Sequence, residues 1–167
     1  LIHLAAISEV AQCQNSPALA RKINVSAAEK IAHLAARYGL RLVHVSTNQV
    51  FDGSRGGWRE DDETNPLNIY GETKLSGENR VLRAFPEAVI LRPCLITGIA
   101  PPGRRSSTSD ILDKLRNGAP LKMFTDEIRS PVAASDVARV VVDLAEKPEI
   151  SDLLHCGGDE ALTRFEM

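Results

Sequence analysis

The chain has 167 residues, of which 43% are hydrophobic and 25% charged, with a formal net charge of -2. That length suits one domain burying roughly 70% of its unfolded surface, and the charge balance excludes a general affinity for nucleic acid or anionic membrane. No apolar run approaches the ~20 residues of a membrane span. The cysteines, at 13, 94 and 156, are odd in number and far apart, which argues against a disulfide framework and for a reducing, cytoplasmic setting.

Leu1-Ile2-His3-Leu4-Ala5-Ala6 reads as a buried strand already under way. Ser16 and Pro17 then suit the cap and first turn of a helix that runs to Gly39, with Ile23, Ala27, Ile31, Leu34 and Tyr38 on its inner face. A short apolar strand at 42–46 follows, then a helix from near Pro66 to about Arg83, and a strand at 88–91. Gly71 and Gly77 weaken that helix and mark the close approach of another backbone or a ligand. Beyond it the pattern predicts a helix at 110–117, a strand at 121–124, a helix at 137–146 capped by Ser135-Asp136, and a last strand at 153–156. Thr163 and Glu166 have the spacing of a capping box. Near-continuous apolar strands alternating with helices predict a parallel sheet covered on both faces, with ligands at the carboxyl ends of its strands. Both ends fall within elements, so the reading is of an internal piece of a longer protein.

Chemistry concentrates after the strand that ends in Ser46-Thr47. Tyr70 and Lys74 are one helical turn apart on one face, where a lysine ammonium favours the ionised form of a phenol and the phenol can give a proton to a carbonyl. His3, His33, His44 and His155 lack ligand spacing, and no metal site is expected. Arg104, Arg105 and Arg129 are of the type that binds phosphate.

Several runs together carry a resemblance: His3-Leu4-Ala5-Ala6, Asn24, Ser46 to Gly53, Asn65 to Glu78, Leu91-Arg92-Pro93 and Arg129-Ser130-Pro131. They resemble the extended short-chain dehydrogenase/reductase family, in its dTDP-4-dehydrorhamnose reductase branch, over nearly the whole chain. The resemblance implies an α/β, Rossmann-like doubly wound parallel sheet, truncated at both ends, with part of a small substrate-binding lobe. Residues 1–100 would be the C-terminal half of the NAD(P)-binding domain, and 101–167 a partial substrate-binding region interleaved with the sheet.

The implied activity is NADPH- or NADH-dependent reduction of a nucleotide-linked 4-keto-6-deoxy-sugar. Thr47, Tyr70 and Lys74 would be catalytic; Ala5, Ala6, Ser46, Tyr70, Lys74 and Pro93 would meet the cofactor; Asn48, Gln49, Leu95, Arg104 and Arg129 would meet the substrate. Asn24 would help to organise the site. The glycine-rich phosphate loop of the family is absent, and two segments depart from its pattern. Cys94 to Thr97 lacks the family's Trp and Tyr, with Leu95 at the Trp position, and Asn48-Gln49 replaces Asp-Tyr. These departures keep a second reading open, a non-catalytic protein like the regulatory subunit of methionine adenosyltransferase, acting as a homodimer or with a partner enzyme. Trp58-Arg59-Glu60-Asp61-Asp62 resembles that group as well. A sugar-nucleotide epimerase or dehydratase ranks lowest, because dehydratases carry acidic residues directly after the Ser/Thr.

Overall fold

The computed structural model describes residues 1–104 and 106–167. They form two units, one of residues 1–92 and 141–155, the other of residues 93–140 and 156–167.

The first unit is built on a sheet of order β1-β2-β3-β7. These strands are β1 (Ile2–His3), β2 (Val43–Val45), β3 (Val89–Pro93) and β7 (Leu153–Cys156), the last two each running one residue beyond the unit. β1 pairs with β2, and β2 with β3, in parallel, with His3 opposite His44 and His44 opposite Ile90. Every residue of β3 is buried, as expected of a strand covered on both faces.

Between β1 and β2 the chain winds through α1 (Val10–Asn15), α2 (Pro17–Arg21), a widened π turn at Lys22–Ala27, and α3 (Ala28–Arg37). The helix expected from Ser16 to Gly39 is therefore interrupted, and its buried face is not the expected one. Ala20, Asn24, Ala28, Ala32 and Ala35 are buried, whereas Leu34 and Tyr38 are 49% and 65% exposed. The true face lies one residue over, and its side chains are small. A large-residue stripe cannot approach the next helix, α4 (Ile69–Ala84), as closely as alanines can. Leu34 and Tyr38 instead line a shallow apolar hollow of about 390 Å³ with Leu1, Ile2, His3, Ile31 and Leu40.

α4 starts three residues after Pro66, where the Asn68 side chain accepts from the Gly71 N–H at 2.9 Å and caps it. Ala28, Ala32, Ala35, Leu42, Val81, Ala88 and Ile90 form one core cluster, to which Leu153 and Phe85 add. Arg41 fastens the unit's last segment, its guanidinium donating to the carbonyls of Leu144 at 3.1 Å, Pro148 at 3.4 Å and Ile150.

In the second unit, β4 (Ile96–Thr97) pairs in parallel with β6 (Val132–Ala133), and β5 (Ile128–Arg129) antiparallel with β8 (Leu162–Thr163). The expected strand at 121–124 does not form, and pairing begins only at Ile128. Phe124 is 65% exposed there, so the apolar run lacks the partner strand that would bury it. α5 (Ser107–Arg116) starts earlier than expected because the Ser106 hydroxyl accepts from the Ser109 N–H at 3.1 Å. α6 (Ala134–Glu146) likewise begins before its expected cap and runs into the first unit. The capping box is formed, with Thr163 donating to Glu166 and the Glu166 N–H returning to Thr163 Oγ1 at 3.2 Å.

A Cβ on Gly77 would collide with the Asn24 carbonyl oxygen. Gly77→Ala should therefore lose about 1–2 kcal/mol, because the packing strain exceeds the gain in helix propensity. Urea denaturation checks this; a stabilised variant would contradict the close approach.

Candidate active site

β2 ends at Val45, and the chain leaves the sheet at Ser46-Thr47, both buried. Extended backbone at Thr47 lets its hydroxyl cap the following 3-10 turn, accepting from the Gln49 N–H at 3.2 Å. α4 lies beside this turn at almost no distance: a Cβ on Gly71 would collide with the Gln49 carbonyl and stand 2.9 Å from the Pro66 side chain. Tyr70, the residue before that glycine, is buried, and the Thr47 hydroxyl favours its ionised form.

One turn further along, Lys74 is only 2% exposed, and its Nζ donates to the Val45 carbonyl at 2.8 Å. Burial pulls its pKa from the ordinary 10.5 down to about 8, with Glu78 opposing. Tyr70 differs from the expectation drawn from spacing. Its pKa is raised, because burial outweighs the favourable effect of the Thr47 hydroxyl. Protonated Tyr70 is therefore the ground state of this arrangement.

Behind the pair, Asn24 is fully enclosed. Its Oδ1 accepts from the Ile7 N–H at 2.8 Å, and its Nδ2 donates to the Ile7 carbonyl at 3.0 Å and to Thr73 Oγ1 at 3.1 Å. Thr73 Oγ1 donates onward to the Tyr70 carbonyl at 3.0 Å. Asn24 sits in the π turn, a device often found at functional sites. Under the lysine lie His3 and His44, Nδ1 to Nδ1 at 2.8 Å, both with lowered pKa through burial and then the Lys74 charge.

Ser46, Thr47, Gln49, Tyr70 and Lys74 thus gather in the first unit. Gln49 Oε1 accepts from Asn68 at 3.3 Å, and Asn48 belongs to the same turn. Ala5 is exposed and Ala6 half-buried, just past the end of β1. Pro93, Leu95, Arg104 and Arg129 belong to the second unit. There Pro93 is buried, Leu95 accepts from the Val132 N–H at 2.9 Å, and Arg104 is exposed. Arg129 is paired with Glu127 at 3.0 Å, and Glu127 also takes Arg164 at 3.4 Å. Arg105 lies outside the described residues.

Sequence reasoning missed Thr73 and the buried pair of Glu78 with Arg92, which is bidentate at 2.7 to 3.2 Å. The signal was present: Glu78 follows Lys74 by four residues, and Arg92 is a charge inside an apolar strand.

A parallel sheet with a buried Tyr/Lys pair on the helix beside a strand-end Thr is the arrangement of a Rossmann-like dehydrogenase/reductase. The RmlD substrate binding domain family matches residues 1–167, and the chain belongs to it. It is 36% identical to methionine adenosyltransferase 2 subunit beta of Xenopus tropicalis, over 100% of this chain and 52% of that protein. It is 33% identical to dTDP-4-dehydrorhamnose reductase of Mycobacterium tuberculosis, over 99% of this chain and 55% of that protein. The structure superposes with a TM-score of 0.92 and 26% identity on dTDP-4-dehydrorhamnose reductase of Bacillus anthracis in complex with NADP, covering 99% of this chain and 58% of that one. The chain spans about half the length of the curated relatives it matches.

Buried Lys74 is best neutral, so the fold carries a cost of roughly 3 kcal/mol while it is charged. The cost is fully present below its folded pKa of about 8 and is relieved as pH rises toward the unfolded 10.5. The chain should gain stability relative to Lys74→Met across that window, as urea denaturation at about pH 7 and about pH 10 would read. A difference independent of pH would contradict a buried ammonium.

Proposed function

We propose that this chain is the catalytic part of a longer NAD(P)H-dependent reductase acting on a nucleotide-linked 4-keto-6-deoxy-sugar. The observation that carries the reading is the joint burial of Thr47 at the end of β2 and of Tyr70 and Lys74 one turn apart on α4, with the phenol protonated. Tyr70 holds the proton that a nascent alkoxide needs, and Thr47 orients the carbonyl oxygen toward it. Lys74 is the charge that stabilises phenolate once the proton has left.

The residues present fit a nicotinamide cofactor. The Ser46 hydroxyl is buried without a partner, Lys74 has two N–H donors beyond the one given to Val45, and the small Ala5 and Ala6 leave backbone accessible. When bound, a reduced nicotinamide supplies hydride to a carbonyl carbon. Ser46, Lys74, Ala5, Ala6 and Pro93 would hold it, and Asn48, Gln49, Leu95, Arg104 and Arg129 would meet the sugar nucleotide. Arg129 would first have to leave Glu127 or share it. The NADP complex of the Bacillus anthracis relative supports the cofactor class. We assign residues 1–100 to the nicotinamide-binding half and 101–167 to the substrate lobe. No described helix is long and apolar enough to cross a membrane, and scattered cysteines suit a cytoplasmic location.

A second reading is favoured by the 36% identity to a methionine adenosyltransferase subunit and by Leu95 and Asn48-Gln49 in place of aromatic sugar contacts. It makes the longer protein a non-catalytic partner, as a homodimer or with an enzyme. In the full-length protein, NADPH oxidation with a dTDP-4-keto-6-deoxy-sugar should occur, and Tyr70→Phe should lower kcat by about 10²- to 10⁴-fold with the fold intact by circular dichroism. Absence of turnover by wild-type protein with bound cofactor would leave the partner reading.

A further inference from the structure

Glu78 and Arg92 are 2% and 4% exposed, and they form the one ion pair among the described residues that is buried on both sides. A buried pair is weak evidence for stability, since apolar residues of similar volume often serve as well or better. Its position supplies another reason for it. Tyr70, Lys74 and Glu78 recur at four-residue intervals along α4, so they share one face. The carboxylate lies one turn beyond the ammonium and is locked by Arg92, whose Nε stands 3.0 and 3.2 Å from its two oxygens and whose Nη2 stands 2.7 Å from one of them.

Burial strips the water from Lys74 and disfavours its charge. The charge in turn lowers the pKa of His44 on β2 and His3 on β1, for which burial is the larger cause. Tyr70 and Cys13, neutral groups with raised pKa, lie toward the other end of the site. Arg92 on β3 carries a like charge and is paired with Glu78. Among the described residues Glu78 is the charge that acts in favour of the ammonium. Arg92 also reaches the other side of the site. Its guanidinium lies over the Phe51 ring, 5.3 Å from the centroid, and Phe51 closes the turn that Thr47 caps and stacks on Trp58 at 4.7 Å.

We propose that Glu78, clamped by Arg92, is a positioning residue that keeps Lys74 charged beside Tyr70, while Arg92 anchors the turn after Thr47. Its catalytic meaning rests on the reductase reading; its electrostatic content does not.

The test is NMR titration of the labelled Lys74 side chain in the full-length protein, in wild type, Glu78→Gln and Arg92→Lys. Glu78→Gln should move the Lys74 midpoint down by roughly one to two pH units, and Arg92→Lys, which keeps the cation, should leave it near wild type. An unchanged midpoint in folded Glu78→Gln would overturn the proposal. If Glu78→Gln fails to fold because Arg92 is left unpaired, the double variant Glu78→Gln/Arg92→Met is compared with Arg92→Met alone, so that the carboxylate is the one charge that differs; the double variant should have the lower Lys74 midpoint, and equal midpoints would overturn the proposal. Turnover, where wild type has it, adds a second readout. The basic limb of the kcat profile should shift down with the NMR midpoint while KM for the sugar holds. A wild type without turnover would remove the reductase reading and leave the NMR result to decide the role of Glu78.

Discussion

A lysine ammonium enclosed between a helix and the end of a strand sets the terms for the rest of this structure. Lys74 donates to the Val45 carbonyl at 2.8 Å, a contact it can make only if α4 lies close against the turn that follows β2. Gly71 admits the Gln49 carbonyl and Gly77 admits the Asn24 carbonyl, where any side chain would collide. The same closeness selects alanine along the face of α3 and brings Asn24 within reach of Ile7 and Thr73. Packing and chemistry are therefore one constraint: the contacts that bury the lysine also place its neighbour Tyr70 against Thr47.

Much of this was legible in the sequence. Tyr70 and Lys74 announce themselves by helical spacing, Ser46-Thr47 by its place at the end of an apolar strand, and Gly71 and Gly77 by being glycines inside a helix. The less legible features depend on tertiary contacts. The π turn at Lys22–Ala27 has no local signature, and a reading weighted by side-chain size chose Ile23, Leu34 and Tyr38 over the small residues that a close interface needs. The run at 121–124 has strand composition but no strand to pair with. Spacing also suggested that Lys74 lowers the Tyr70 pKa. Burial reverses that in the resting protein, because desolvation of the phenol is the largest effect on it.

The second unit shows how an arginine of the type that suits phosphate can already be engaged. Arg129 carries the right chemistry for a diphosphate, yet Glu127 already holds it, and Arg164 shares that carboxylate. Such a triad binds an anion only when the carboxylate is displaced or its charge is outvoted by the two arginines. Glu127 stands two residues before Arg129 in the sequence, whereas Arg164 comes to the same carboxylate from beyond β8, which pairs with β5.

The account holds that Tyr70 is a buried phenol, protonated at rest, on which the Thr47 hydroxyl acts. Carbon-13 labelling at the tyrosine ring, with Tyr38→Phe to leave a single signal, tests this directly by pH titration. The account predicts a Tyr70 midpoint above the ordinary 10.0, raised further when Thr47→Val removes the hydroxyl. A midpoint at the ordinary value, unmoved by Thr47→Val, would mean that the phenol is solvated and apart from Thr47, and would contradict the site as described.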